Sequence, residues 1–311
     1  MTPAIFSANL RPLETLRIFT PLGIRFWDLV LDVPIDSGLV VTARPSGGDA
    51  DPVQAFRTKS GIYAFQGLPG LHAVEYPTDA STATSPPGLL PFAITVEDAL
   101  GRFLPAVFSI DLPLPFRGVF PPPALGSPPG SGGRAYLFSA PARPVPAGMA
   151  AVRADLQDHE TGGGAAFAVV NVQVNGSTGT GIADRRGSAL VLFPFPVIER
   201  LQLGSPPGTG QGGVSDYTRP LTAAVQYQPS ALTYPLAGRQ GVTDAWQAMP
   251  SLKSILDGQG PASIWLTDAG PPAPSITTDL RFGQELVLAT ASSSPLQTSS
   301  SLSISRGSSP P

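Results

Sequence analysis

Thr58-Lys-Ser-Gly-Ile-Tyr-Ala-Phe-Gln-Gly-Leu-Pro-Gly70 is a turn, a short alternating strand and a Gly/Pro-bounded stop. Ile62 and Ala64 take one face of that strand and Tyr63 and Phe65 the other, because successive strand side chains point to opposite sides. The same plan recurs more loosely further on. It runs from Asp158-His-Glu-Thr-Gly-Gly through Ala168-Val-Val-Asn-Val-Gln-Val-Asn-Gly176 to Ile182-Ala-Asp-Arg-Arg-Gly-Ser-Ala-Leu-Val-Leu-Phe193. Asn175-Gly176 marks a hairpin turn there, since both residues tolerate positive φ. Hairpins of this kind set the expectation: an all-β chain of tandem β-sandwiches, with a mixed C-terminal extension containing one short helix.

Working outward, residues 1–12 form an N-terminal arm and 13–117 a first sandwich. Its strands are expected in Leu16–Phe19, Ile24–Ile35, Leu39–Ala43, Gly61–Phe65, Pro91–Glu97 and Phe103–Leu112. Pro105 would interrupt a central ladder, so the last of these belongs at an edge or carries a bulge. Residues 118–133 are a Pro/Gly linker, and 134–230 a second sandwich. Its strands are expected at Ala135–Ser139, Met149–Leu156, Phe167–Val174, Ala189–Phe195 and Ala223–Tyr227, interrupted by the glycine-rich Gly204–Gly213. In the extension, 231–290, Ser251–Asp257 has apolar residues at helical spacing and Gly258 follows as a C-cap. Ala262–Leu266 and Thr278–Leu288 are expected strands. The tail, 291–311, is rich in Ser and ends in Pro-Pro, a composition that stays ordered only when something holds it.

Composition narrows the function classes. Pro 37 and Gly 34 go with 42% hydrophobic residues, the balance of many short strands joined by tight loops rather than of a disordered chain. Charged residues are only 13%, about half the usual share, which suits burial in an assembly. A net charge of −3 with two lysines, Lys59 and Lys253, and no basic run argues against nucleic-acid binding. With no cysteine there is no disulfide, thiolate nucleophile or Cys-ligated metal. The N-terminal residues have no basic start followed by an apolar core, and no apolar run approaches the length of a membrane span. Cytoplasmic synthesis, with any later exposure by release in a particle, is the expectation.

Chemistry is sparse. Asp155-Leu-Gln-Asp158-His159-Glu160 is the one crowd of oxygen and nitrogen ligands, so Asp155, Asp158 and His159 are the weak metal candidates against a polar hairpin loop. Gly176-Ser-Thr-Gly-Thr-Gly181 mimics a phosphate cradle but lacks the following helix, and is expected as a flexible hairpin tip. Asp28/Asp32 and Glu97/Asp98 are carboxylate pairs; the even spacing of the first places it on a solvated strand face. Trp27, Trp246 and Trp265 lie in apolar runs, where Trp is commonly core. No catalytic residue, cofactor or metal is assigned.

Gly61–Gly70 and Thr161-Gly…Val172-Gln-Val…Asp184-Arg-Arg-Gly187 resemble hairpins of the carboxypeptidase-regulatory-like (transthyretin-like) β-sandwich. That resemblance implies Ig-like or prealbumin-like sandwiches acting as spacers, adhesion modules or assembly domains. Leu100-Gly-Arg-Phe-Leu-Pro105, Leu112-Pro-Leu-Pro115, Leu137–Pro146 and Leu280–Leu288 are similar to accessory structural proteins of contractile, phage-tail-like injection systems. The chain is therefore expected to be a non-enzymatic structural subunit with other protein subunits as partners. Its contacts would come from edge strands and from the arms, through Ile5, Phe6, Leu302 and Ile304, whose apolar side chains have no evident domestic core. The alternative is a carbohydrate- or cell-surface-binding adhesion module.

Overall fold

The computed structural model describes residues 18–47, 50–77, 88–114, 134–196, 218–292 and 300–306. The expected arm contacts Ile5 and Phe6, the 118–133 linker, the Gly204–Gly213 loop and most of the tail lie outside them. Within them the chain is all-β, with tandem sandwich cores.

The first half gives β1 (Leu22–Ile24), β2 (Phe26–Asp28), β3 (Val33–Pro34), β4 (Leu39–Pro45), β5 (Val53–Gln54), β6 (Phe56–Arg57), β7 (Tyr63–Phe65), β8 (Leu90–Asp98) and β9 (Ala106–Leu112). Then follow β10 (Ala135–Leu137), β11 (Met149–Asp158), β12 (Val169–Val174), β13 (Ser177–Ile182), β14 (Ser188–Pro194) and β15 (Thr218–Gln226). The C-terminal part adds β16 (Ser263–Trp265), β17 (Pro272–Ala273), β18 (Ile276–Arg281), β19 (Glu285–Leu288) and β20 (Leu302–Ser305). Three short helices are α1 (His72–Glu75), α2 (Asp244–Gln247) and α3 (Leu252–Asp257).

Three sheets, ordered β5-β4-β8-β9, β1-β7-β6 and β10-β2-β3, share the first apolar core. Phe26, Phe65, Phe92 and Phe108 are fully buried in it, and the Phe26 ring meets Tyr63 edge-on at 5.7 Å. β9 begins at Ala106, immediately after Pro105, and lies at the edge of its sheet, so the proline removes no hydrogen bond from the ladder.

The boundary expected at Arg134 is displaced. β10 pairs in parallel with β2 (Ala135↔Phe26 to Leu137↔Asp28) and belongs to the first core. The expected extension is divided as well: Leu232, Leu236, Met249, Leu252 and Ile255 pack into the first core, whereas Ala262, Ile264, Leu280 and Leu288 pack into the second. In α3, Ser251 accepts the Ser254 N–H at 3.2 Å as N-cap, and Gly258 follows as expected, though with φ −91° rather than left-handed. The expected strand Thr278–Leu288 is two strands, turned at Gly283 (φ +71°).

The second sandwich sets β13-β12-β15-β18 against β14-β11-β20-β16-β17, with β19 also on β11. β14 is apolar on both faces, and β11 is so at Ala151. Val152, Ala154, Val191 and Phe193 enter the second core. Ala151, Leu190 and Leu192 meet Val30 and Val145 of the first unit. That two-sided burial explains the unbroken apolar run Ala189–Phe193 and joins the two sandwiches by packed side chains.

The Asn175-Gly176 turn has positive φ at both positions (42° and 82°), as the sequence requires. The hairpin tip is confined to that pair: of the expected flexible tip Gly176–Gly181, all but Gly176 belong to β13. Its glycines are there for space. A Cβ on Gly181 would stand 2.6 Å from the Leu190 carbonyl oxygen, and one on Gly179 2.9 Å from Phe193 and Val191. Gly181→Ala is expected to destabilise by about 1–3 kcal/mol, the range of an overpacked core, measured by urea unfolding.

Candidate functional site

The Asp155–Glu160 run does not converge as a ligand set. Asp155 and Asp158 are three residues apart on β11, hence on opposite faces. Asp155 accepts from the Ser188 hydroxyl at 2.6 Å, whereas Asp158 is buried. His159 stacks on Trp265, ring centroids 4.0 Å apart at 16°, with Nδ1 3.1 Å from the Ser303 hydroxyl. Among the described residues no group of three His, Cys, Asp or Glu side chains is placed to hold a metal ion.

What the run does instead is hold the C-terminal strand. β20 lies between β11 (parallel, Leu156↔Leu302 to Asp158↔Ile304) and β16 (antiparallel). The His159 N–H donates to the Ile304 carbonyl at 2.8 Å, and Arg306 pairs with Asp158 at 3.4 Å. Trp265 Nε1 donates to the Ser305 hydroxyl at 3.3 Å. Leu302 and Ile304, expected as contacts to another subunit, are fully buried in the second core of their own chain. This corrects the expectation. The core they fill is built by strands distant in sequence, which is why no domestic partner was visible.

Burial by itself would raise the Asp158 pKa. The Glu160 and Thr161 backbone N–H groups, the Tyr227 hydroxyl and Arg306 outweigh it and hold the carboxyl below its ordinary 3.8. Tyr227 is pushed up to about 12, by burial first and then by the Asp158 charge. For a depressed carboxylate the stabilisation is complete above 3.8 and is lost as pH falls below that value through the folded pKa. For the raised phenol it is complete below 10.0 and is lost as pH rises towards about 12. Unfolding followed by tryptophan fluorescence should therefore show stability falling outside both limits, and Tyr227→Phe should remove Tyr227's own part of the alkaline loss.

The carboxylate pairs are likewise structural. Asp28 and Asp32 do not share a solvated face, because β2 ends at Asp28 and the chain turns, with Asp32 at φ +50°. Asp28 is buried against Arg143. Asp32 is exposed and paired with Arg134, which with the Tyr136 hydroxyl holds its carboxyl below the ordinary range. Asp98 accepts from the Arg102 backbone N–H at 2.7 Å and pairs with its guanidinium, closing the β8–β9 turn. Two tryptophan faces are covered, Trp27 by Arg134 (4.0 Å) and Trp265 by His159, so they do not form a sugar platform.

Trp246 lines a cleft of about 500 Å³, which no sequence pattern singled out. The β8–β9 turn, the stretch after β10, the 182–186 turn and the α2–α3 segment meet around it. Its walls are mainly apolar: Phe103, Phe138, Phe167, Trp246, Met249 and Ile255. Phe167 has φ +62°, an outlier for a bulky residue. Its carbonyl is held at 2.7 Å by the buried Gln259 amide. Arg185 and Arg186 stand exposed among the lining residues. The signals that could have drawn attention to this place are the consecutive arginines of the Asp184–Gly187 turn.

No family model matches the chain, and no curated protein matches it. Among solved structures, shaft pilin SpaA from Lactobacillus rhamnosus GG aligns over 96% of this chain and 100% of its own, at 9% identity and TM-score 0.23. The Bacillus anthracis TIE protein aligns over 85% of this chain and 44% of its own, at 10% identity and TM-score 0.22. Superpositions this loose carry no argument about function. No helix among the described residues is long and apolar enough to cross a membrane.

Proposed function

We propose that the chain is a non-enzymatic structural subunit of a multiprotein assembly that makes its contacts by strand addition, as an accessory component of a contractile, phage-tail-like particle would. The observation that carries this is the outer edge of β18. Six residues long, it pairs only with β15 among the described residues, and its free side leaves backbone donors and acceptors for a further strand. Thr277, Asp279 and Arg281 are exposed on it and would set the register. The packed seam at Val30, Val145, Ala151, Leu190 and Leu192 supports the same reading, since two sandwiches fixed together form a rigid block. The charged fraction of 13% fits a chain that covers much of its surface with neighbours. In this reading the chain is made in the cytoplasm and leaves the cell with its particle. The carboxypeptidase-regulatory-like resemblance of the hairpins agrees with an assembly role.

Light scattering of the purified chain beside negative-stain images of its native source tests the proposal; a ring, fibre or particle-bound subunit is expected. Because the chain has no cysteine, Thr277→Cys gives a single reactive site. A maleimide–diazirine photocrosslinker attached there should link the chain to its neighbouring subunit, and should not when attached at a Thr161→Cys control. A monomer that captures no partner would sink the assembly reading. An assembly without the Thr277 link would move the contact to another edge.

A further inference from the structure

We propose that the cleft between the sandwiches binds a small amphipathic carboxylate. Its apolar body would lie between Phe103, Phe138, Phe167 and Trp246, and its head at Arg185 and Arg186. The cleft's size, about 500 Å³, is that of sites enclosing small molecules, and its walls are of the kind that take an apolar body.

Two features point to a ligand rather than to a packing gap. The first is Phe167. A left-handed backbone on a bulky residue persists only where its surroundings enforce it, and it clusters at binding sites. Here the Gln259 amide and the Asp184 carbonyl fix the backbone on both sides, and the residue lines the cleft.

The second is the turn that carries the arginines. The Asp184 carboxylate accepts the N–H groups of Arg186 (2.7 Å) and Ser188 (3.0 Å). Gly187, at φ +91°, passes so close to β11 that a Cβ would stand 2.3 Å from the Leu156 carbonyl oxygen. The turn is therefore rigid, and it sets two exposed arginines among the lining residues of the cleft. Neither has a carboxylate partner among the described residues. Of the carboxylates lining the cleft, Asp98 is paired with Arg102, and Asp184 is turned to the backbone N–H groups of its own turn rather than to either arginine. Guanidinium groups that no side-chain carboxylate engages hold an incoming carboxylate by paired N–H donors.

Calorimetric titration of the full chain with dodecanoate, dodecanol and dodecylammonium, each below its micelle concentration, tests this. One molecule of dodecanoate should bind per chain, at least tenfold more tightly than either of the others. The surface double variant Arg185→Ala/Arg186→Ala should lose that tenfold preference while its affinity for dodecanol stays unchanged. Ala245→Trp, at an exposed position lining the cleft, should abolish binding of all three, with circular dichroism confirming the fold. No saturable binding, equal affinity for the three probes, a preference for the ammonium, or binding indifferent to Ala245→Trp would each overturn the proposal. None of these outcomes bears on whether the chain assembles, so the two proposals stand or fall separately.

Discussion

Asp28→Ala or Arg143→Ala is expected to destabilise the protein by about 3–5 kcal/mol, because either change strands the other charge in the interior. Both side chains are almost wholly buried, and their bond joins β2 to the stretch after β10, 115 positions along the chain. Asp28 also accepts the N–H groups of Val30 (2.8 Å) and Leu31 (3.3 Å), closing the turn after β2. Arg143 donates to the Ser139 hydroxyl at 3.0 Å and lies over the Phe103 ring, 4.9 Å from its centroid. The pair thus ties the turn after β2 to the stretch after β10. Asp28→Leu/Arg143→Met, which removes both charges and keeps the volume, should recover most of the loss, since a buried pair gains little over an apolar replacement. Thermal unfolding of the three variants measures this. A loss below 1 kcal/mol for either single alanine variant would mean that the pair is solvated in solution.

The same pair shows where the sequence stops being legible. Asp28 and Asp32 looked like one strand face because their spacing is even, and period two is all that a strand pattern contains. What decides their fates is that β2 ends at Asp28, and that an arginine from beyond residues 118–133 comes to meet it. Hairpins are different, because both partners lie within one stretch of pattern. β8, β9 and β12 were visible for that reason, as was the Asn175-Gly176 turn, where local backbone chemistry suffices. Strand partners more than a hundred residues apart were not visible. The parallel pairing of β10 with β2 and the division of the C-terminal extension between two cores depend on such distant partners. The cleft is the extreme case: Phe103, Phe138, Phe167 and Trp246 come from four segments, and each in isolation is an ordinary apolar residue. The expected tip Gly176–Gly181 is the opposite case. Its glycines suggested a loose tip, but they mark the place where β13 passes too close to β14 for a side chain.

Ile304→Ala is the second large expected effect, and it separates two accounts of the C-terminus. If Ile304 were a contact to another subunit, truncating it would weaken assembly and leave the isolated chain's stability unchanged. The structure predicts the reverse. Ile304 has no exposed surface and lies in the second core, opposite Asp158 on β11 and Ile264 on β16. Loss of its side chain should cost about 2–5 kcal/mol, the usual range for emptying an aliphatic site of this size. Leu302→Ala should cost a similar amount, and the two together less than their sum if the strand detaches after the first loss. Detachment is the more informative outcome, because β20 is the strand that joins β11 to β16 across the middle of its sheet. Once it leaves, both neighbours expose a ladder edge, and Asp158 loses its Arg306 partner. Hydrogen exchange should then show protection falling first along β11 and β16 and only later in β4 and β8 of the other sandwich. Uniform loss across both units would mean that the Val30–Leu192 seam couples them into one unfolding unit.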